Sequence, residues 1–204
     1  MAAITAITGF QNLPNLNYLR LDGSGNGCET IDVSGCTSLT YLDVSDMDIP
    51  GNSAPSLKYL NVEGCTSLVN LYMDDSDFSE GFPDLSSATA LQYFDADQCG
   101  ITGSLDLTAF TELRGFDLNY NEGLTSVTIS PSSQSLGDER SLYLDGCALT
   151  QTAVDNILVT LSEGPVGNGY VELSGGTNAA PSALGLAAKA TLELSGWTVS
   201  ANIG

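Results

Sequence analysis

The chain has 204 residues, enough for one substantial domain, and it carries 5 Lys and Arg against 25 Asp and Glu, a formal net charge of −20. A surface this acidic repels phosphate backbones and anionic lipid headgroups, which excludes nucleic acid and membrane surfaces as partners. Hydrophobic residues make up 42% of the chain and no apolar run is long enough to span a bilayer, so disorder and membrane insertion are excluded as well.

Ten short segments of residues 1–149 share a strand-like pattern, in which apolar residues alternate with polar ones. Taking every second segment gives one line of strands, whose first inward residues are Leu19, Leu42, Leu71, Phe94, Phe116 and Leu142. The others form a second line, with Ile31, Leu60, Leu105 and Val127. Strands of the first line recur every 22 to 29 residues, which fits a leucine-rich repeat that runs along one wall of a solenoid and returns along the other.

The alternation within each strand predicts which side chains face the interior. In "LTYLDV", Leu39, Leu42 and Val44 are expected to point inward, and Tyr41 and Asp43 outward. The return wall is expected to include two further segments, an irregular one at 81–85 and "ITAITGF" at 4–10.

The five cysteines follow the same register. Four lie five residues after the first inward residue of their strand, the place of a small Asn or Cys at the turn of such repeats: Cys36, Cys65, Cys99 and Cys147. Asn121 holds that place after Phe116, and Cys28 replaces the leucine three residues before Ile31. An odd count, with no Cys-x-x-Cys and no His, argues against a zinc site or a disulfide framework. We expect reduced, buried thiols.

Beyond residue 150 the apolar spacing becomes helical, at Val154, Ile157, Leu158 and Leu161, with Thr150 or Thr152 as the N-cap. A strand with Val171 and Leu173 inward, a helix from about Pro181 to Ser195 stopped by Gly196, and a last strand in "WTVSAN" are expected to follow. We predict a single domain, 1–204, with β-rich repeats in 1–149 and helix-containing repeats and cap in 150–204.

The predicted fold class is therefore an α/β solenoid, a leucine-rich repeat of mostly β coils with ribonuclease-inhibitor-like helices at its C-terminal end. The repeats, with "LTYLDVS" and the Cys ladder, resemble internalin-type and phage-encoded leucine-rich repeats. The ending "VELSGGTNAAPSALGLAAKATLELSGWTVSAN" resembles the segment that closes many leucine-rich repeat proteins of tailed bacteriophages.

This resemblance implies a non-enzymatic interaction or structural protein of a bacteriophage virion, in tail-associated host recognition or capsid decoration. A bacterial surface or secreted internalin-like adhesin is the alternative, and a glycan hydrolase is the third candidate. The repeat begins almost at once, without an internalin-like helical cap. We therefore expect other virion proteins to cover the uncapped N-terminal end.

Solenoids bind through the outward residues of their concave strands. The candidate partner-binding face gathers six of the eight tyrosines with interleaved acids: Tyr18, Arg20, Asp22, Tyr41, Asp43, Tyr72, Asp74, Tyr93, Asp95, Asp97, Asp117, Tyr143, Asp145, Tyr170 and Glu172. Such residues suit recognition of a host surface protein or glycan. The alternative is that Tyr suits exposed strand positions and Asp keeps the sheet soluble.

Two acidic stretches concentrate the oxygen ligands that Ca²⁺ accepts, "DVSDMD" and "DDSDFSE". The calcium candidates are Asp74, Asp75, Asp77 and Glu80, although neither stretch matches an EF-hand loop, and a solvated loop is the alternative. No cofactor is expected. With no His, no Gly-x-Ser-x-Gly and no phosphate loop, we predict that the chain is not an enzyme.

Overall fold

The computed structural model describes residues 4–22, 28–47, 57–130, 140–164 and 168–204, without the side chain of Arg140. It is an α/β fold of parallel sheets with few helices. The chain forms two compact units, Met1–Gly100 and Ile101–Gly204. None of the described helices has the length and apolar character needed to cross a membrane.

Unit 1 contains short parallel strands and a 3-10 helix at Phe10–Asn12. The strands are β1 (Ala6–Ile7), β2 (Tyr18–Arg20), β3 (Thr30–Asp32), β4 (Tyr41–Asp43), β5 (Tyr59–Asn61), β6 (Asn70–Tyr72) and β7 (Tyr93–Asp95). One sheet has the order β2-β4-β6-β7 and the other the order β1-β3-β5. These two sheets correspond to the two lines of strands that the sequence predicts.

The register of both sheets in unit 1 joins the residues predicted to point inward. Leu42 pairs with Leu19 on one side and with Leu71 on the other. In the second sheet, Ile31 pairs with Ile7 and with Leu60. The middle residue of β3 to β7 is buried in every case, so the inward assignment is confirmed there.

Two segments of unit 1 depart from this regular pattern. Residues 81–85 form no strand, and Phe82 packs against Phe78 and Phe94 with ring centroids 6.2 and 6.3 Å away. Residues 4–22 contain no fully buried side chain, although they supply β1 and β2. β1 and β2 are therefore less covered than the strands of unit 1 that follow them.

Four of the cysteines occupy the turns that the sequence predicts, Cys28 lies just before β3, and all five are buried thiols that form no disulfide. The Cys65 thiol donates to the Val33 carbonyl at 3.3 Å, and the Cys99 thiol donates to the Met73 carbonyl at 3.2 Å. Burial raises the pKa of Cys65 to about 11. These thiols therefore bond neighbouring backbone segments to one another and are poor nucleophiles at neutral pH.

Unit 2 combines parallel strands with the predicted helices. Its elements are β8 (Thr102–Leu107), β9 (Gly115–Asp117), β10 (Gly123–Ile129), β11 (Arg140–Tyr143), α1 (Gln151–Ser162), β12 (Gly169–Leu173), α2 (Ala183–Leu194) and β13 (Thr198–Ala201). One run of strands has the order β9-β11-β12-β13, and β8 pairs with β10. Leu142 pairs with Phe116 and with Val171, so the predicted register continues through this unit.

In unit 2, asparagine side chains also bond to the backbone at turns, as the thiols do. The Asn121 side chain donates to the Leu118 carbonyl at 2.8 Å and accepts from the Ile101 N–H at 2.9 Å. Asn178 is buried and accepts from the Leu149 N–H at 2.8 Å. An amide satisfies a donor and an acceptor at once, where a thiol mainly donates.

Each helix begins after a polar residue whose side chain acts as the N-cap. Thr150 is the N-cap of α1, because its side chain accepts from the Ala153 N–H at 3.2 Å. Ser182 is the N-cap of α2, and Gly196 follows its end with φ +97°, a left-handed conformation that favours glycine. The predicted second helix is thus confirmed within two residues at its start.

A buried carboxylate joins the two helices. Asp155 in α1 is 8% exposed and accepts from the Ser182 N–H at 2.9 Å and from the Ser182 hydroxyl at 2.5 Å. A Cβ at position 185 would collide with this carboxylate, which explains the glycine inside α2. Asp155 therefore fixes the start of α2 against α1.

Candidate interaction surface

The structure divides the predicted face between the two units. Unit 1 holds Tyr18, Arg20, Asp22, Tyr41, Asp43, Tyr72, Asp74, Tyr93, Asp95 and Asp97. Unit 2 holds Asp117, Tyr143, Asp145, Tyr170 and Glu172.

Four tyrosines of unit 1 form a row of contacting rings. Tyr18 and Tyr41 stack with ring centroids 4.4 Å apart and planes 8° apart. The centroids of Tyr41 and Tyr72 are 5.4 Å apart, and those of Tyr72 and Tyr93 are 5.6 Å apart. Asn70 occupies the place in register with Tyr41, so Tyr72, two residues later, continues the row. We call Tyr18, Tyr41, Tyr72 and Tyr93 the tyrosine row.

Ring contact decides which parts of the tyrosine row face solvent. Rings that pack on their neighbours cover each other's faces and leave edges and hydroxyl groups for a partner. Tyr18, at one end of the row, is 52% exposed. Burial, with a smaller effect of Asp43, raises the pKa of Tyr41 to about 12, so its phenol stays neutral and donates hydrogen bonds at physiological pH.

Asp43 is less accessible than the alternation predicts, because it is 6% exposed. Its carboxylate accepts from the Ser45 hydroxyl at 2.7 Å and from the Tyr41 hydroxyl at 3.3 Å. Arg20 Nε lies 3.4 Å from its Oδ2. Asp43 therefore contacts Tyr41, Ser45 and Arg20 and helps to fix the positions of these side chains, but it offers little surface to a partner.

Arg20 and Asp22 form the principal ion pair of this surface in unit 1. The guanidinium donates through Nε to Oδ1 of Asp22 at 2.5 Å and through its terminal nitrogen to Oδ2 at 2.7 Å. This hydrogen bonding holds the pKa of Asp22 below its ordinary value. The Arg20 side chain remains 56% exposed, so the edge of an otherwise acidic face carries a cation.

Several face carboxylates also have a local structural role that the sequence analysis did not identify. Each accepts the backbone N–H two residues later and so closes the turn at the end of its strand. The pairs are Asp43 with Ser45, Asp95 with Asp97, Asp117 with Asn119 and Glu172 with Ser174. The repeated spacing of an acid and a polar residue after each strand is the signal that predicts these turns.

The calcium candidates separate in the structure. Carboxylate oxygens of Asp74 and Asp75 come together with Asp46, all within 4.8 Å of one another. Asp77 instead accepts from the Ser79 hydroxyl at 2.6 Å, and Glu80 accepts from the Tyr59 hydroxyl at 3.3 Å. Asp48, in the other acidic stretch, lies outside the described residues.

Burial raises the pKa of Asp74 to about 6, and the nearby Asp46 and Asp75 charges add to the effect. The folded state then binds this proton more tightly than the unfolded state, so the contribution of Asp74 to stability is present below about pH 4 and declines as the pH rises to about 6. Asp74→Asn is therefore expected to raise the melting temperature at neutral pH with little gain at about pH 4.

Thermal unfolding followed by circular dichroism at both pH values measures this difference. Asp77→Asn is the control, because Asp77 is outside the three-carboxylate group and should not give the same gain at neutral pH. An equal gain from Asp74→Asn at both pH values would contradict the expectation.

Unit 2 repeats the pairing of tyrosine with acid on a smaller scale. The rings of Tyr143 and Tyr170 have centroids 5.5 Å apart. The Tyr170 hydroxyl donates to Oε2 of Glu172 at 2.5 Å, and this bond helps to raise the pKa of Tyr170 to about 12. Asp145 lies against Gly175, where a Cβ would collide with its Oδ1. As in the tyrosine row, the two rings contact each other.

These groups can donate and accept hydrogen bonds and can pair with cations. The chain contains no His. On the face of unit 1, Asp43 and Asp95 close turns, Asp22 pairs with Arg20, and Asp74 gathers with other acids. In comparisons with known proteins, no family model, no curated protein and no solved structure matches the chain.

Proposed function

We propose that the chain is a leucine-rich repeat solenoid that serves as a non-enzymatic interaction protein of a bacteriophage virion, in tail-associated host recognition or capsid decoration. The tyrosine row, with its flanking carboxylates, is the observation that carries the binding role. The virion assignment rests on the resemblance of the repeats and of the C-terminal segment.

Two regularities support the solenoid. Strands about one repeat apart pair in parallel with equivalent residues in register. Thiols and amides at equivalent turns bond to the backbone about one repeat earlier, as Cys65 does to Val33. Both regularities are those of a chain that stacks one coil on the next.

The contact geometry of the tyrosines supports binding over a purely solubilising role. Strand propensity accounts for Tyr at exposed positions, but it does not require the rings to touch. Tyr72 continues the row from a position two residues out of register with Tyr41. A row held by its own contacts loses little conformational entropy when a partner binds.

Docking in the particle is proposed to use the N-terminal end. Residues 4–22 have no fully buried side chain, and Ile4 and Leu13 are 49% and 51% exposed. Burial of this surface by another virion protein would stabilise β1 and β2 and leave Tyr41, Tyr72 and Tyr93 of the tyrosine row accessible to a host protein or glycan.

Antibody labelling of intact particles from the source phage, viewed by electron microscopy, tests the location. Label at the tail tip supports host recognition, and label over the head supports decoration. Particles without label would refute the virion role and favour the bacterial adhesin.

Replacement of Tyr41 and Tyr93 by Ala is expected to weaken binding of the fluorescently labelled chain to host cells or particles by about tenfold, because the row loses two rigid contacts. Flow cytometry or pelleting measures the binding. Tyr59→Ala is the matched control, since Tyr59 is 56% exposed on the other sheet of unit 1. Equal binding by all variants would show that the tyrosine row does not contribute to partner binding.

A further inference from the structure

We propose that the open edge of β2 binds an extended protein segment, which adds as a parallel strand with an aromatic, an apolar and an acidic residue beside Tyr18, Leu19 and Arg20. The inference rests on the proposed docking at the N-terminal end and specifies the chemistry of the partner.

The backbone of β2 has hydrogen-bonding groups directed to the open side. β2 pairs with β4, and the described residues place no strand on its other side. The Leu21 N–H donates to the Asp43 carbonyl at 2.8 Å. Because alternate residues of a strand direct their backbone groups to opposite sides, those of Tyr18 and Arg20 point to the open edge. An added strand would complete these bonds.

The apolar residues of β2 lack the cover that the next strand has. Leu19 and Leu21 are half-buried, whereas Leu42 and Val44, their counterparts one repeat later, are 0% exposed. An added strand with an apolar residue beside Leu19 would remove this surface from water, as β2 does for Leu42.

The tyrosine row predicts an aromatic residue on the added strand. Tyr18 stacks on Tyr41 through one ring face, with planes 8° apart, and remains 52% exposed. An aromatic side chain in register with Tyr18 would continue the row by one member. Stacking of this kind adds to the burial of apolar area.

Charge predicts the third residue of the pattern. Arg20 pairs in register with Asp43, and its Nε lies 3.4 Å from the Asp43 carboxylate. Nε and one terminal nitrogen of Arg20 donate to Asp22, and the Arg20 side chain is 56% exposed, so an acidic residue on the added strand would accept from the other terminal nitrogen.

The chain itself contains the inferred pattern, as Tyr-Leu-Asp at 41–43. A fluorescent peptide that copies residues 38–45, "SLTYLDVS", is therefore a suitable probe. Titration with the full chain, followed by fluorescence anisotropy, is expected to give saturable binding.

Two N-methylated peptides test the strand geometry. A methyl on the nitrogen of the peptide residue that copies Leu42 removes an N–H that would face β2, and binding should weaken about tenfold. A methyl on the nitrogen of the residue that copies Asp43 removes an N–H that faces away, and binding should be retained. Equal loss from both methyl groups would overturn strand addition.

A charge exchange tests the register. Arg20→Glu in the chain should weaken binding of the parent peptide, and a peptide with the Asp43→Lys change should restore binding to that variant. Circular dichroism checks that Arg20→Glu remains folded. Failure of the charge-exchanged peptide to recover binding would overturn the register.

The remaining outcomes are also decisive. Absence of saturable peptide binding would overturn the inference. If the chain does not bind the peptide but self-associates, and Arg20→Glu abolishes the self-association, the edge binds a second copy of the chain. That result would also overturn the inference. The particle labelling is independent of the peptide, so failure of the proposed function and failure of this inference are distinguishable.

Discussion

Leu42→Asp is expected to destabilise the folded protein strongly. Leu42 is 0% exposed and lies in register between Leu19 and Leu71 in the sheet of unit 1. The substitution removes buried apolar contacts and introduces a carboxylate without a partner, at a cost of at least about 4 kcal/mol. Since domains of this kind are stable by roughly 5–15 kcal/mol, a large fraction of that stability would be lost.

Chemical denaturation followed by circular dichroism measures the effect. Thr37→Asp is the matched control, because it adds the same charge to an exposed position shortly before β4. Its midpoint should stay close to that of the parent chain. Comparable destabilisation by both variants would contradict the assignment of Leu42 to the core.

Asp155→Ala is expected to destabilise the helices of unit 2 by about 2–3 kcal/mol. Without the carboxylate, the Ser182 N–H and hydroxyl lose their acceptor, and the N-cap of α2 is no longer fixed to α1. Thermal unfolding followed at the helical circular dichroism band should show a midpoint about 5–10 °C lower.

Two further variants make this test specific. Asn156→Ala changes the exposed neighbour of Asp155 in the same helix and should leave the midpoint almost unchanged. Asp155→Asn keeps an oxygen that accepts from Ser182 and should lose less stability than Asp155→Ala. A loss from Asn156→Ala as large as that from Asp155→Ala would show that the carboxylate is not the cause.

The strand register was predictable because it depends on local and repeated information. Alternation identifies Leu42 as inward, and the repeat places Leu19 and Leu71 beside it without knowledge of the loops. The thiols followed from the same register, since Cys65 and Cys99 occupy equivalent turns. Buried positions at which the only requirement is an apolar side chain are the easiest to infer from sequence.

Contacts that depend on particular long side chains were not predictable. Asp43 has an outward position, yet Arg20 and Ser45 cover it. Asp155 reaches Ser182 across 27 residues, which no short spacing indicates. The same holds for the approach of Asp46 to Asp74, because it depends on how adjacent turns stack.

The buried thiols have a consequence for where the protein can fold. Since the five buried thiols form no disulfide and donate to backbone carbonyls in several turns, no covalent cross-link is needed to hold those turns together. Folding should therefore proceed in a reducing cell interior, whereas an oxidising medium would let the exposed thiols of the unfolded chain form non-native disulfides. Neither an oxidase nor a disulfide isomerase is required, and exposure to air should not alter the folded state.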